Sequence, residues 1–230
     1  MIEVIDISKS FRRKNVLDGI SFKLNKGEIT ALLGINGVGK STTLKIIMGL
    51  IKQDKGKVLV DGEELTYDNL DKLAFIPDVK NTFRGMRIRE SFEYMECFYN
   101  NWNKKKAYEM LEGFELNKED KLDKLSKGNL AKVKIILGFA QEAEYILMDE
   151  PFSGIDIFTR EDILESLINY INEDNGILIT THEIAEIEGV ADRVLLINEG
   201  SIKADFYVED MKCAEQLSLI DKMREVFLDE

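Results

Sequence analysis

The stretch EITALLGINGVGKSTTLKIIMGLI, from Glu28 to Ile51, constrains the fold more than any other part of the chain. EITALL is a nearly continuous apolar strand, as expected of a strand covered on both faces in a parallel sheet. A glycine loop follows, and then the helix KSTTLKIIMGLI. Within this unit, GINGVGKST fits the pattern G-x-x-x-x-G-K-S/T through Gly34, Gly39, Lys40 and Ser41. The glycines let successive backbone N–H groups turn inward around phosphate oxygens, and the helix adds its positive N-terminal end. Lys40 is expected to reach β- and γ-phosphates, and the Ser41 hydroxyl to bind Mg²⁺. Asn36, Gly37 and Thr42 complete the expected nucleotide site.

Further parallel-sheet strands are read at YILMDE, GILITT and RVLLINEG. Near the start, IEVIDI, ISFKL and KVLVDG alternate apolar with polar residues between polar turns, which predicts a small antiparallel sheet. From 83 to 142 the spacing of apolar residues becomes helical. The reading is one α/β domain over 1–230. Residues 1–82 and 143–206 form the core with its antiparallel part, 83–142 a helical subdomain, and 207–230 a C-terminal helical tail.

Two carboxylates stand at the end of one predicted strand, in EYILMDEP. A carboxylate ending a buried strand beside the phosphate loop is where Mg²⁺ needs a partner, so Asp149 takes that role. Glu150 points elsewhere if it continues the strand, and can act as general base on an attacking water. The single histidine, His182, follows the apolar strand in ILITTHE and emerges on the same rim, where it can hold that water near Glu150.

Composition limits the partners. With 31 Lys+Arg against 43 Asp+Glu the net charge is −12, which argues against a sequence-independent nucleic-acid binder. Cys97 and Cys213 form no ligand-spaced pair, as in a reduced cytosolic protein. The start MIEVIDISKSF reads as a strand rather than a signal peptide, and no apolar run approaches the roughly 20 residues of a membrane span. A membrane role would need another chain to span.

Together these segments, from about Ile2 to Phe206, resemble the ATP-binding subunit of ABC transporters, in the exporter-like branch. The resemblance implies a P-loop NTPase core with a RecA-like parallel sheet. It also implies a dimer, of two copies or with a related ATPase subunit, closing head to tail around two ATP molecules with Mg²⁺. A transmembrane permease subunit would anchor it at the cytoplasmic face of a membrane. In KLSKGNLAKVK, the segment LSKGN matches the family's LSGGQ signature, so Ser126, Gly128 and Asn129 are expected to contact the nucleotide of the opposing subunit. Lys127 and Asn129 depart from the usual pattern, and the shorter amide leaves the ribose contact of Asn129 open. FSGID resembles the D-loop and puts Ser153, Gly154 and Asp156 at the dimer seam. Phe11 matches an aromatic residue that stacks on adenine, against the plain alternative of a core phenylalanine. Asp78 stands where the family has a glutamine; a carboxylate there could bind Mg²⁺ but would add charge beside Glu150.

Two other functions fit part of this pattern: an ATPase serving a soluble assembly such as iron–sulfur cluster delivery, and a nucleotide-gated regulatory subunit with little turnover. For the permease, the stretch NTFRGMRIRESFEYMECFY suggests a docking surface at Phe83, Arg84 and Met86. Phe92 and Met95 are expected in the insertion's own core.

Overall fold

The computed structural model describes the backbone of all residues except 13, 79–82, 84, 172, 185–186, 216–217 and 229–230. Arg84 therefore lies outside the described residues. A four-stranded antiparallel sheet is built from β1 (Ile2–Phe11), β2 (Lys14–Leu24), β4 (Lys55–Val60) and β5 (Glu63–Glu64), in the order β2-β1-β4-β5. Three of these strands match the alternating segments read from the sequence.

The second sheet has six strands in the order β10-β9-β3-β8-β7-β6. It comprises β3 (Ile29–Leu33), β6 (Leu73–Ile76), β7 (Tyr145–Asp149), β8 (Gly176–Thr181), β9 (Arg193–Asn198) and β10 (Ser201–Tyr207). Its pairs are parallel except for β10 against β9. In β3, β7 and β8 every residue is buried. The reason is visible in the pleat: Ile29, Ala31 and Leu33 enter one apolar core, whereas Leu32 enters the other. Ile146 and Met148 divide from Tyr145 and Leu147 in the same way. Such strands read as unbroken apolar runs because neither face meets water.

The helix α1 (Lys40–Ile47) follows β3 directly. Between β6 and β7 lie α2 (Ile88–Phe98), α3 (Lys104–Gly113) and α4 (Lys127–Phe139). The first is started by the Glu90 carboxylate, which accepts from the Arg87 backbone N–H at 2.8 Å, and α3 by Asn103, which accepts from the Lys106 N–H at 2.9 Å. Helix α4 is buried around most of its circumference and packs against α2, α3 and β6. Phe92 and Met95 are buried, not in a core confined to the insertion but in the apolar cluster it shares with one face of the sheet, where Phe92 meets Trp102 and Tyr108. After β7 comes α5 (Ile157–Tyr170), and β10 leads to α6 (Val208–Glu215) and α7 (Leu219–Leu228). Among the described residues, no helix is long and apolar enough to cross a membrane.

Candidate functional site

The site forms where β3, β7 and β8 end side by side. At Gly34 the chain leaves β3 pressed against β9: a Cβ there would lie 2.4 Å from the Ile197 carbonyl oxygen. Gly39, at φ 117, brings the loop back against β2, where a Cβ would meet Leu17 at 2.5 Å. Both positions exclude a side chain, for close approach in the first and also for backbone conformation in the second. Asn36 and Gly37 form the exposed tip, while Thr42 is half-buried in the first turn of α1.

Lys40 is folded into this loop, only 5% exposed. Its ammonium donates to the carbonyl oxygens of Gly34 at 2.6 Å and Ile35 at 3.2 Å, and lies 3.1 Å from Glu150 Oε1. Asp149 is buried at the end of β7. Its Oδ1 accepts from the Ser41 hydroxyl at 2.7 Å and from the Thr180 hydroxyl at 3.0 Å. A carboxylate taken out of water requires such partners.

Glu150 turns away from Asp149 because the strand has ended. Its φ is 47, a left-handed conformation costing a non-glycine residue about 1 kcal/mol or more. The backbone bend, rather than strand alternation, separates the two carboxylates. Its N–H is anchored to the Thr180 carbonyl and hydroxyl oxygens, each at 3.1 Å. The Glu150 side chain then bridges two cationic or polar neighbours, with Oε2 2.7 Å from His182 Nδ1. The structure thus brings together Lys40, Ser41, Asp149, Glu150 and His182. It adds Thr180, the penultimate residue of β8 and not among the residues expected from the sequence; a threonine inside a fully buried strand is the available signal, because its hydroxyl must find a partner.

Of the other predicted residues, Ser153 touches this cluster, its N–H donating to the Glu150 carbonyl oxygen at 3.2 Å. Ser126 caps α4 by accepting from the Asn129 N–H at 3.2 Å. Gly128 is buried against Thr159, whose Cγ2 would lie 2.6 Å from an added Cβ. Asn129 is half-buried. Ser153 and Gly154 are exposed beside Lys127, whose Nζ would be 3.1 Å from a Cβ at Gly154. Asp156 caps α5, accepting from the N–H of Thr159 at 3.0 Å and its hydroxyl at 2.7 Å. These bonds, the backbone one first, hold its carboxyl below the usual carboxylate range. Phe11 is 43% exposed at the end of β1, with the Lys9 ammonium 5.5 Å from its ring centre. It is not a core residue. Asp78 is exposed and lines a cavity with Glu150, Lys127 and Lys134; Ser41 and Asp149 do not line that cavity.

On the insertion, Arg89 pairs with Glu119 at 3.1 Å and Arg87 with the same carboxylate at 3.7 Å. Half-buried Phe83 contacts exposed Tyr94 at 5.2 Å between ring centres, and Tyr94 contacts Phe98 at 4.5 Å. Tyr94 and Phe98 extend the aromatic surface that the sequence reading began at Phe83.

Comparison with known proteins agrees with this geometry. The family model described as "ABC transporter" matches residues 17–153. The lipopolysaccharide export system ATP-binding protein LptB of Haemophilus influenzae is 30% identical over 226 residues, covering 94% of each chain. A solved ATP-binding subunit of an ABC transporter superposes with a TM-score of 0.86 at 28% identity, covering 98% of this chain and 99% of that one. A bacterial ABC transporter cassette solved as a dimer gives 0.80 at 25% identity, covering 90% of this chain and 99% of that one. These similarities favour a transporter subunit over an ATPase of a soluble assembly. The chain belongs to the ABC transporter family, as one of its ATP-binding, ATP-hydrolysing subunits.

Proposed function

We propose that this chain drives substrate export, closing with a second copy or a related subunit around two ATP molecules while a separate permease moves the substrate. The name of the LptB relative supports the direction of transport. The single observation that carries the chemistry is the Glu150 carboxylate held between Lys40 at 3.1 Å and His182 at 2.7 Å, beside the phosphate loop.

In this proposal the loop N–H groups from Gly34 to Thr42, with Asn36, Gly37 and Gly39 between, surround the triphosphate, and Lys40 exchanges Glu150 for phosphate oxygens. Phe11 stacks on adenine; its exposed ring supports that role. Ser41 Oγ and Asp149 Oδ1, already 2.7 Å apart, are hard oxygen donors suited to Mg²⁺. Mg²⁺ would neutralise charge on the β- and γ-phosphates. Asp78 is not included as a ligand, since it shares a cavity with Glu150 and not with that pair. Glu150 accepts a proton from water as the water oxygen attacks the γ-phosphorus and the bond to the β-phosphate oxygen breaks. His182 orients the water and the γ-phosphate. From the opposing subunit, Ser126, Gly128 and Asn129 contact the γ-phosphate and ribose, and Ser153, Gly154 and Asp156 line the seam.

The segment 83–142 acts as a subdomain on the core formed by 1–82 and 143–206, with 207–230 as a tail. A groove of about 380 Å³ between core and insertion, lined by Leu50, Phe75, Phe83, Met95, Tyr99 and Leu137 among others, suits an apolar element of the permease. That contact would hold the subunit at the cytoplasmic membrane face.

The test is Glu150→Gln, which keeps size and hydrogen bonding but removes the base. ATP binding should persist while turnover falls roughly 10²–10⁴-fold, with ATP-bound dimer accumulating in size-exclusion chromatography. Turnover at the parent rate would show that Glu150 is not the base.

A further inference from the structure

Two cavities meet at three shared residues, of which Lys134 is the only charged one. The smaller, of about 50 Å³, is lined by Asp78, Lys127, Glu150 and Ser153 among others, and the larger is the apolar groove beside Phe83 and Tyr99. Lys134 lines both, together with Ile76 and Pro77. It lies on α4, two turns beyond the Ser126 cap, and its half-buried ammonium donates to the Pro77 carbonyl oxygen at 3.0 Å. Pro77 directly follows β6 and precedes Asp78. Burial pushes the Lys134 pKa down, and the Asp78 carboxylate pushes it back up. Asp78 and Glu150 therefore line one small cavity as two carboxylates, and Lys127 and Lys134 are the ammonium groups that line it with them. Two carboxylates lining one cavity repel each other, and an ammonium lining it with them offsets that repulsion.

We infer that Lys134 is a positioning residue for ATP hydrolysis: from α4 it holds the Pro77 carbonyl and offsets the charge of Asp78. This fixes residues 76–78 against the helix that carries Ser126, Gly128 and Asn129. It also leaves Glu150 with Lys40 and His182 rather than displaced by a second carboxylate. An element pressed into the apolar groove would bear on the same ammonium, so groove and hydrolytic site share a part. The inference rests on the reading of Glu150 as the base.

The test uses the purified full chain with Mg²⁺ and ATP in steady state. Lys134→Met keeps the apolar stem and removes the ammonium. Its kcat should fall roughly ten-fold, the size of one hydrogen bond to a charged group, while KM for ATP moves by less than about two-fold. Lys134→Arg should retain most of kcat. Adding Asp78→Asn to Lys134→Met should recover part of the loss, since the charge to be offset is gone although the bond to the Pro77 carbonyl is not restored; simple loss of packing would not recover at all. A parent-like kcat in Lys134→Met, or a loss that Asp78→Asn leaves unrelieved, overturns the assignment. Should Lys134→Met fail to fold, Lys134→Gln serves instead: it keeps a donor for the Pro77 carbonyl but no charge, so it should lower kcat without changing KM and regain activity when Asp78→Asn is added, and an unchanged kcat refutes the inference. Failure of the base assignment is separate, because it would appear as turnover in Glu150→Gln whatever the Lys134 variants do.

Discussion

Replacing Thr180 by valine isolates one hydroxyl at the centre of the site. Thr180 is fully buried; its hydroxyl donates to Asp149 Oδ1 at 3.0 Å and accepts from the Glu150 N–H at 3.1 Å. Valine fills the same space, so no cavity opens. The Glu150 N–H keeps the Thr180 carbonyl oxygen at 3.1 Å and is not orphaned. What is lost is chiefly a hydrogen bond to a charged acceptor, worth about 1.5–3 kcal/mol. In a domain of this size each kcal/mol moves Tm by about 2–4 °C. A loss near 2 kcal/mol would therefore lower Tm by roughly 4–8 °C. Function should change as well, because among the described residues Asp149 would keep only the Ser41 hydroxyl as a side-chain donor. The Mg²⁺ concentration for half-maximal turnover should rise, and Thr180→Ser, which keeps the hydroxyl, should restore both quantities. Differential scanning calorimetry and an Mg²⁺ titration of ATPase activity measure them. A Thr180→Val protein that melts within about 1 °C of the parent, well inside the shift one such bond implies, and shows the same Mg²⁺ dependence, would refute the argument.

Two further outcomes follow from the composite site and the groove. Ser126→Arg and Lys40→Ala should each lose hydrolysis, yet a verified mixed dimer should regain it in part, because one intact loop can meet one intact signature; complete inactivity of the mixture would count against head-to-tail pairing. Changing Phe83 and Met86 together to serine should leave ATP binding intact and reduce co-purification with the permease from solubilised membranes, and unchanged co-purification would move the docking surface elsewhere.

The buried parallel strands were legible because a strand covered on both faces leaves an unbroken apolar run, as in ITALL and YILMD. The segment LAFI, which leads to Asp78, is not read as a strand from the sequence although it is a parallel strand, β6. Four residues before a proline are too few to distinguish a strand from the end of a turn. SIKADFY, the antiparallel edge β10, alternates apolar with charged residues after a Glu199–Gly200 turn; that is the same signal as in IEVIDI, but the strands read from the sequence stop at RVLLINEG. The phosphate loop was legible for a different reason. Its residues are fixed by space as well as chemistry: Gly34 has a backbone oxygen where a side chain would go, and Gly39 a leucine. The direction of Glu150 was not legible, because it depends on a positive φ held by hydrogen bonds from a strand some thirty residues later.

The signature and D-loop segments pose a different problem, because their residues already have work within one chain. Ser126 caps α4 and Asp156 caps α5, while Gly128 is required by the nearness of Thr159. Removing a cap alone costs about 1 kcal/mol, and a side chain at Gly128 forces Thr159 to move. A loss of ATPase activity in Ser126→Ala or Gly128→Ala would therefore not by itself reveal a contact with a partner's nucleotide, since a frayed α4 also loosens the helix that carries Lys134. The mixed dimer separates the two causes. In it the weakened cap of Ser126→Arg remains in one subunit, yet the composite site that uses the other subunit's signature is whole. Activity can return only if the serine acts across the interface and the local structure it caps is a separate matter.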